Sequence, residues 1–134
     1  LQPWQRMTKY KARAVTINGQ RFSSRAEGAF YLCHILPGLA AGKIRAVELQ
    51  PRIKLTIGGK HLCHYIADFK IITDQEQTQI IEIKGYKTDI YKLKRKATRL
   101  LYPALDILEI SAKALRSEIL LLRQLILLAS SPGK

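Results

Sequence analysis

The stretch His61–Gly85, HLCHYIADFKIITDQEQTQIIEIKG, constrains this chain more than any other. Apolar and polar residues alternate on both sides of a turn-rich segment, Asp74 to Gln77, so it reads as two strands joined by a short polar loop. On the first strand Cys63, Tyr65, Ala67, Phe69 and Ile71 share one face, and Ile66, Asp68, Lys70 and Ile72 the other. On the second, Ile81 and Ile83 alternate with Ile80, Glu82 and Lys84. Asp68 then faces Glu82 if the loop holds an odd number of residues or a bulge, because a slip of one residue turns every side chain over. Charges on so apolar a strand pair are costly without a partner or a cation. The plain alternative is a solvated strand face with a Glu–Lys pair, stabilising by less than ~1 kcal/mol.

The charge balance points to the kind of partner. Twenty-three Lys and Arg against ten Asp and Glu give +13 over 134 residues. Such an excess suits a polyanion, either nucleic acid or an anionic membrane surface. A chain of this length makes about one domain and buries its own core without staples. Cys33 and Cys63 form no CxxC pair, which fits a reducing compartment. No basic-then-apolar leader opens the sequence, and the most apolar segment, Ile119–Ala129, is too short to span a bilayer. The expectation is a soluble cytoplasmic protein.

Residues 1–25 carry six basic residues and no acid, with Trp4, Tyr10 and Phe22 interleaved. Residues 1–22 read as a basic arm and 23–134 as a single domain. The arm is either a partly ordered terminus or a segment that follows a phosphate backbone, with Arg13, Arg21 and Arg25 as contacts and its aromatics stacking on bases. Ile17-Asn18-Gly19-Gln20 predicts a tight turn. Ser24-x-x-Glu27 predicts a capping box at the start of a helix that runs to about Leu36 and ends at Pro37-Gly38. In that box the Glu27 carboxylate bonds back to the Ser24 N–H. Residues 44–57 alternate, with Pro51 marking a bend or bulge between two short strands, and Gly58-Gly59 supplies a hairpin turn. Glu48 and Gln50 are polar residues within this segment, either solvated or lining a site.

After Gly85, Thr88 or Asp89 caps a helix to about Leu101. Ile90, Leu93, Ala97, Leu100 and Leu101 make its apolar stripe, opposite a basic face of Lys92, Arg95, Lys96 and Arg99. With Lys87 and Lys94 these are candidate contacts to a phosphate backbone. Leu105–Ser111 reads as a strand and residues 113–130 as a final helix. Leu115, Ile119, Leu122, Ile126 and Ala129 fill one side of that helix, while Leu120 and Leu127 fall beside Arg116 and Arg123. Those two leucines suit a partner surface or the N-terminal arm, with a wide core helix as the other account. His61, Cys63 and His64, with Cys33 and His34, lack zinc-site spacing and read as core cysteines and exposed histidine.

Carboxylates on neighbouring strands suit Mg²⁺, a hard ion that keeps several of its waters. A lysine two residues after one of them lies about 6–7 Å along the same face, where its ammonium orients a nucleophilic water or stabilises developing charge. This combination resembles the PD-(D/E)xK nuclease superfamily. Ala67-Asp68 stands for the first half of its motif, with alanine in place of the proline, Glu82-Ile83-Lys84 for the second half, and Glu27 for its additional acid. The segments FSSRAEGAFY, LQPRIKL, YIADF and EIKGYKTDIYKLKRK are similar to small phage and prophage proteins placed in that superfamily, some of them like Holliday junction resolvases.

The resemblance implies an α/β, restriction-endonuclease-like αβββαβ core: a mixed central sheet flanked by helices, followed here by a C-terminal helix. It implies Mg²⁺, with Mn²⁺ as a substitute, held by Asp68, Glu82 and the Ile83 carbonyl. Lys84 would position the nucleophile, Glu27 would complete the site and Gln50 would line it. The implied activity is a magnesium-dependent endonuclease of branched or junction DNA, phage or prophage encoded in a bacterial cytoplasm, with a possible homodimer through the C-terminal helix. Two alternatives remain open at this point: a nucleic-acid-binding module without catalysis, and a nuclease subunit that needs a transposase or terminase partner.

Overall fold

A computed structural model describes residues 13–129. They fall into two compact units, one built from residues up to 37 and from 111 onward, the other from Gly38–Ile110. Trp4 and Tyr10 of the expected arm lie outside the described residues.

The first unit opens with a hairpin of β1 (Val15–Ile17) and β2 (Gln20–Phe22), paired so that Ile17 faces Gln20. Asn18 and Gly19 close it at φ 50° and 79°, the backbone that a two-residue type I′ turn requires. Phe22 is not an aromatic displayed for stacking on bases. It is buried, with its ring 4.8 Å from that of Tyr31. Ser24 caps α1 (Arg25–Phe30), its Oγ accepting the Glu27 N–H at 3.0 Å. The Glu27 carboxylate accepts from the Ser23 hydroxyl at 3.0 and 3.2 Å.

Pro37-Gly38 does not end the helix. A π-helical turn over Tyr31–Ile35 leads into α2 (Leu36–Ala40). A proline ring in a regular α-helix clashes with the carbonyl four residues back, and the wider turn, in which the Leu36 N–H bonds to the Tyr31 carbonyl, opens just before it. The stop is Gly42, at φ 77°. Its N–H bonds to the Leu39 carbonyl at 3.2 Å while that of Lys43 reaches Gly38 at 2.9 Å, the two bonds of a Schellman motif.

A 3₁₀ turn (Ala112–Leu115) and α3 (Arg116–Ala129) complete the first unit. Leu115 and Leu122 are buried there. Leu120 and Leu127 are exposed, joined by Leu121, Leu125 and Leu128.

The second unit is organised by one long bent hairpin. Its first arm is β3 (Ile44–Leu49) and β4 (Arg52–Ile57), its second β5 (Lys60–Ile66) and β6 (Phe69–Thr73). Gly58 and Gly59, at φ 56° and 77°, turn the tip. The outer pair β4–β5 is a separate ribbon. The inner pair joins a four-stranded sheet in the order β3-β6-β7-β8, with β7 (Thr78–Lys84) and β8 (Asp106–Ser111). The stretch read as one strand from Cys63 to Ile72 therefore bends at Ala67-Asp68, opposite the bend at Gln50-Pro51. Gln50 takes φ 51°, and Pro51, lacking an N–H, contributes its carbonyl to Ala67 at 3.2 Å. The fold class is thus α/β with a mixed sheet, β7 and β8 being neighbours joined through a helix.

That helix, Asp89–Leu101, starts at Thr88, whose Oγ1 accepts the Tyr91 N–H at 3.1 Å. Its buried residues are Tyr91 and Thr98. The expected apolar stripe is not its buried face: Ile90, Leu93, Leu100 and Leu101 are all exposed, Leu100 to 74%. Polar partners on the sheet, described below, select the inward face instead.

Gly28 in α1 supplies a stability test. A Cβ there would lie 2.5 Å from Val15 Cγ1 and 3.2 Å from Ile17 Cδ1. Alanine adds up to ~1 kcal/mol of helix propensity, but overpacking costs about 1–3 kcal/mol. Gly28→Ala is therefore expected to lower the urea midpoint at constant m-value; a raised midpoint would show that the hairpin yields freely.

Candidate active site

Register decides whether Asp68 meets Glu82. Thr73 donates its N–H to the Gln77 carbonyl at 2.9 Å, leaving Asp74, Gln75 and Glu76 as a three-residue loop with Glu76 at φ 61°. This is the odd-numbered loop that direct opposition requires. Phe69 pairs with Ile81, the last rung of the regular β6–β7 ladder. Asp68, just before β6, is tied to β7 by two bonds: its N–H donates to the Ile81 carbonyl at 3.2 Å, and its Oδ2 accepts the Ile83 N–H at 2.6 Å. These two bonds fall on either side of Glu82. On the other side of Asp68, the Gln50 N–H donates to the Asp68 carbonyl at 2.9 Å.

Glu82 is only 3% exposed. Tyr65, reaching in from β5, donates its hydroxyl to Glu82 Oε2 at 3.3 Å, and the Lys84 ammonium lies 3.4 Å from Oε1. Burial, then the Glu82 charge, pushes the Tyr65 phenol far above its ordinary value, so it remains a donor. Lys84 Nζ also stands 4.3 Å from the centroid of the Tyr91 ring, within cation–π range. The lysine is therefore held between a carboxylate and an aromatic face.

Behind Tyr91 lies a second charged cluster. Its hydroxyl donates to Glu109 Oε2 at 2.5 Å. The same carboxylate takes Lys87 at 2.6 Å and Arg95 at 3.2 Å. Burial works to raise the Glu109 pKa, but the Lys87 and Tyr91 hydrogen bonds and the Arg95 charge together hold it below the ordinary carboxylate value. Burial, then the bond to Glu109, drives the Tyr91 phenol far upward. This cluster is the reason Tyr91 and Arg95, rather than Ile90 and Leu93, turn toward the sheet.

The expected site residues are thus distributed as follows. Asp68, Glu82 and Lys84 come together in the second unit, with the Gln50 backbone bonded to that of Asp68. Lys87 and Arg95 are engaged by Glu109, whereas Lys92, Lys96 and Arg99 line a shallow groove of about 300 Å³ with Leu100. Glu27, Arg13, Arg21 and Arg25 belong to the first unit. Sequence reasoning missed Tyr65, Tyr91 and Glu109. A signal was present for Glu109, an acid inside the apolar run LDILEIS, since an acid in such a strand needs a partner.

The donor set at Asp68 and Glu82 is all oxygen, as a hard cation prefers. Among the described residues no group of three His, Cys, Asp or Glu side chains gathers to hold an ion. Mg²⁺ is commonly held by one or two carboxylates with water and substrate oxygens, so this pair and the Ile83 carbonyl fit that ion.

A family model described as "Protein of unknown function (DUF1064)" matches residues 7–118, and the chain belongs to that family. No curated protein and no solved structure matches it. Among the described residues, no helix is long and apolar enough to cross a membrane.

Glu109→Gln tests the second cluster. A carboxyl whose folded pKa lies below its unfolded value stabilises the fold above the unfolded pKa, near 4.3, and that stability is lost as pH falls through the lower folded value. The variant is expected to be less stable at pH 7 by about 1–2 kcal/mol and to converge on the wild type in acid. Urea titrations at both pH values measure this; an equal deficit at both would remove the charge-based account.

Proposed function

We propose that the protein is a Mg²⁺-dependent endonuclease of DNA with a restriction-endonuclease-like core, acting on branched or junction DNA. One observation carries the reading: a carboxylate 3% exposed, Glu82, next to the Ile83 N–H that holds Asp68 Oδ2, with the Lys84 ammonium 3.4 Å away. A buried Glu82, with Asp68 and Lys84 half-buried beside it, adds nothing to a strand pair that Ile80, Ile81 and Ile83 already anchor. A phosphodiesterase does have a use for them. The PD-(D/E)xK resemblance, the antiparallel β6–β7 pair beneath the motif and the +13 charge support the same conclusion.

Bound Mg²⁺, for which Mn²⁺ is expected to substitute, would supply Lewis acidity and an acidified water at Asp68, Glu82 and the Ile83 carbonyl. The chain's own residues do the remainder. Lys84 presents a fixed positive charge toward developing negative charge on the phosphate, with its position set by Glu82 and the Tyr91 face. Tyr65 keeps its proton and holds Glu82 Oε2. The Asp68 carboxylate is oriented by the Ile83 N–H. The homodimer through the C-terminal helix is part of the same proposal, supported by Leu120, Leu121, Leu125, Leu127 and Leu128 standing exposed along it.

The test uses the full chain with duplex, nicked, single-stranded and four-way-junction DNA, in Mg²⁺ and in EDTA. Cleavage is expected in Mg²⁺ alone, with junctions preferred. Asp68→Asn, Glu82→Gln and Lys84→Ala should each reduce the rate at least ~10²-fold with an unchanged circular-dichroism spectrum. Cleavage that persists in EDTA, or that survives these substitutions, would sink the mechanism.

A further inference from the structure

The ribbon β4–β5 has two unlike faces. Ile53, Leu55, Cys63 and Tyr65 pack inward, where Leu55 and Tyr65 join Ala67, Ile80, Tyr91 and Ile107 in the core. On its other face the pairing sets Lys54 against His64 and Arg52 against Ile66. His61 stands beside His64, with ring centroids 4.7 Å apart, and Lys94 of the helix Asp89–Leu101 adds its positive charge to the same imidazole. Among the described residues, Arg52, Lys54, His61, His64 and Lys94 form no ion pair with a carboxylate. The acid nearest in the strand order is Glu48, which is paired across the ladder with Lys70.

Cations massed in this way repel one another, and among the described residues no ion pair with a carboxylate offsets the repulsion. Arg52 and Lys54, two residues apart on a strand, stand about 6.7 Å from each other, close to two rises of ~3.4 Å per phosphate along the axis of a duplex. A linear polyanion fits such a row. The row also leads somewhere: β4 and β5 run back to the bend at Gln50-Pro51 and Ala67-Asp68, so a strand lying along the ribbon arrives at Asp68.

The geometry points to the outer face of the β4–β5 ribbon, with Arg52, Lys54, His61 and His64 joined by Lys94, as a surface that binds the phosphate backbone of nucleic acid and leads it to the Asp68–Glu82 pair. This inference rests on the nuclease reading for its destination but not for its binding chemistry. It also implies proton-linked binding. Desolvation, then the charges of Arg52, His61, Lys54 and Lys94, lowers the His64 pKa. A phosphate placed among these groups favours the imidazolium and raises that pKa again. Binding then takes up a proton and tightens as pH falls through the region around and below 6.5.

Fluorescence anisotropy on the full chain in EDTA, with a labelled 30-bp duplex and a four-way junction, separates binding from cleavage. The triple variant Arg52→Gln, Lys54→Gln, His64→Gln is compared with Lys113→Gln, Arg123→Gln, which changes exposed charges elsewhere. The ribbon variant is expected to bind at least tenfold more weakly, with a salt slope smaller by about 2–3, while the control binds as wild type. His64→Gln alone should flatten the gain in affinity between pH 7.5 and 6. Wild-type binding that is indifferent to the ribbon substitutions, or a control variant that loses as much, overturns this inference and leaves the nuclease reading standing. No wild-type DNA binding overturns both. Phosphatidylserine–phosphatidylcholine vesicles form a third arm; ribbon-dependent binding to vesicles and not to DNA would assign the face to a membrane and overturn the proposal.

Discussion

The hydrogen bond from the Ile83 N–H to Asp68 Oδ2, at 2.6 Å, is the contact on which the rest of the candidate site depends. With the Asp68 N–H on the Ile81 carbonyl, it fastens the bent hairpin to β7 on either side of Glu82. A slip of one residue would send Glu82 and Lys84 to the opposite face and bring Ile81 and Ile83 into their place. The three-residue loop Asp74–Glu76 sets the parity of this register from one end, and the bend at Gln50-Pro51 ends the regular sheet at the other. Asp68 sits where β6 leaves the sheet, half-buried, with its N–H and carbonyl still bonded to Ile81 and Gln50.

From that point, support spreads through side chains rather than through the backbone. Tyr65 comes down from the ribbon onto Glu82, and Tyr91 comes from the helix Asp89–Leu101 onto Lys84. Both phenols are driven to stay protonated by burial and by the carboxylates they serve. Glu109 holds Tyr91 from behind and also holds Lys87 and Arg95. Two carboxylates thus share one arrangement of tyrosine and basic partners, but with different exposure and a different task. Glu82 has a second acid, Asp68, held at the neighbouring Ile83 N–H, whereas Glu109 is surrounded by cations and is a structural anchor.

Much of this is legible in the amino-acid sequence, and what is not has physical causes. Local chemistry read correctly: Asn18-Gly19 and Gly58-Gly59 close hairpins because both pairs take positive φ, and Ser24 and Thr88 cap helices with their hydroxyls. The bend at Pro51 follows from its missing N–H. The parity condition on Asp68 and Glu82 was also visible, though not its solution, which needed the loop geometry. The orientation of the helix Asp89–Leu101 was not visible. Periodicity finds an apolar stripe, but Glu109, on another strand, selects which side turns inward, and a tertiary partner overrides the pattern. Pro37 misled for a related reason: a stop signal acts only if the backbone cannot widen, and here a π turn absorbs it.

The central claim is that Asp68 and Glu82 form one oxygen-donor site. Mn²⁺ titration of the full chain, followed by electron paramagnetic resonance of the free ion, tests this without DNA or turnover. The account predicts saturable Mn²⁺ binding, displaced by Mg²⁺, that is lost in both Asp68→Asn and Glu82→Gln and kept in Glu109→Gln. Binding that is unchanged by the first two substitutions, or lost only with Glu109, would contradict it.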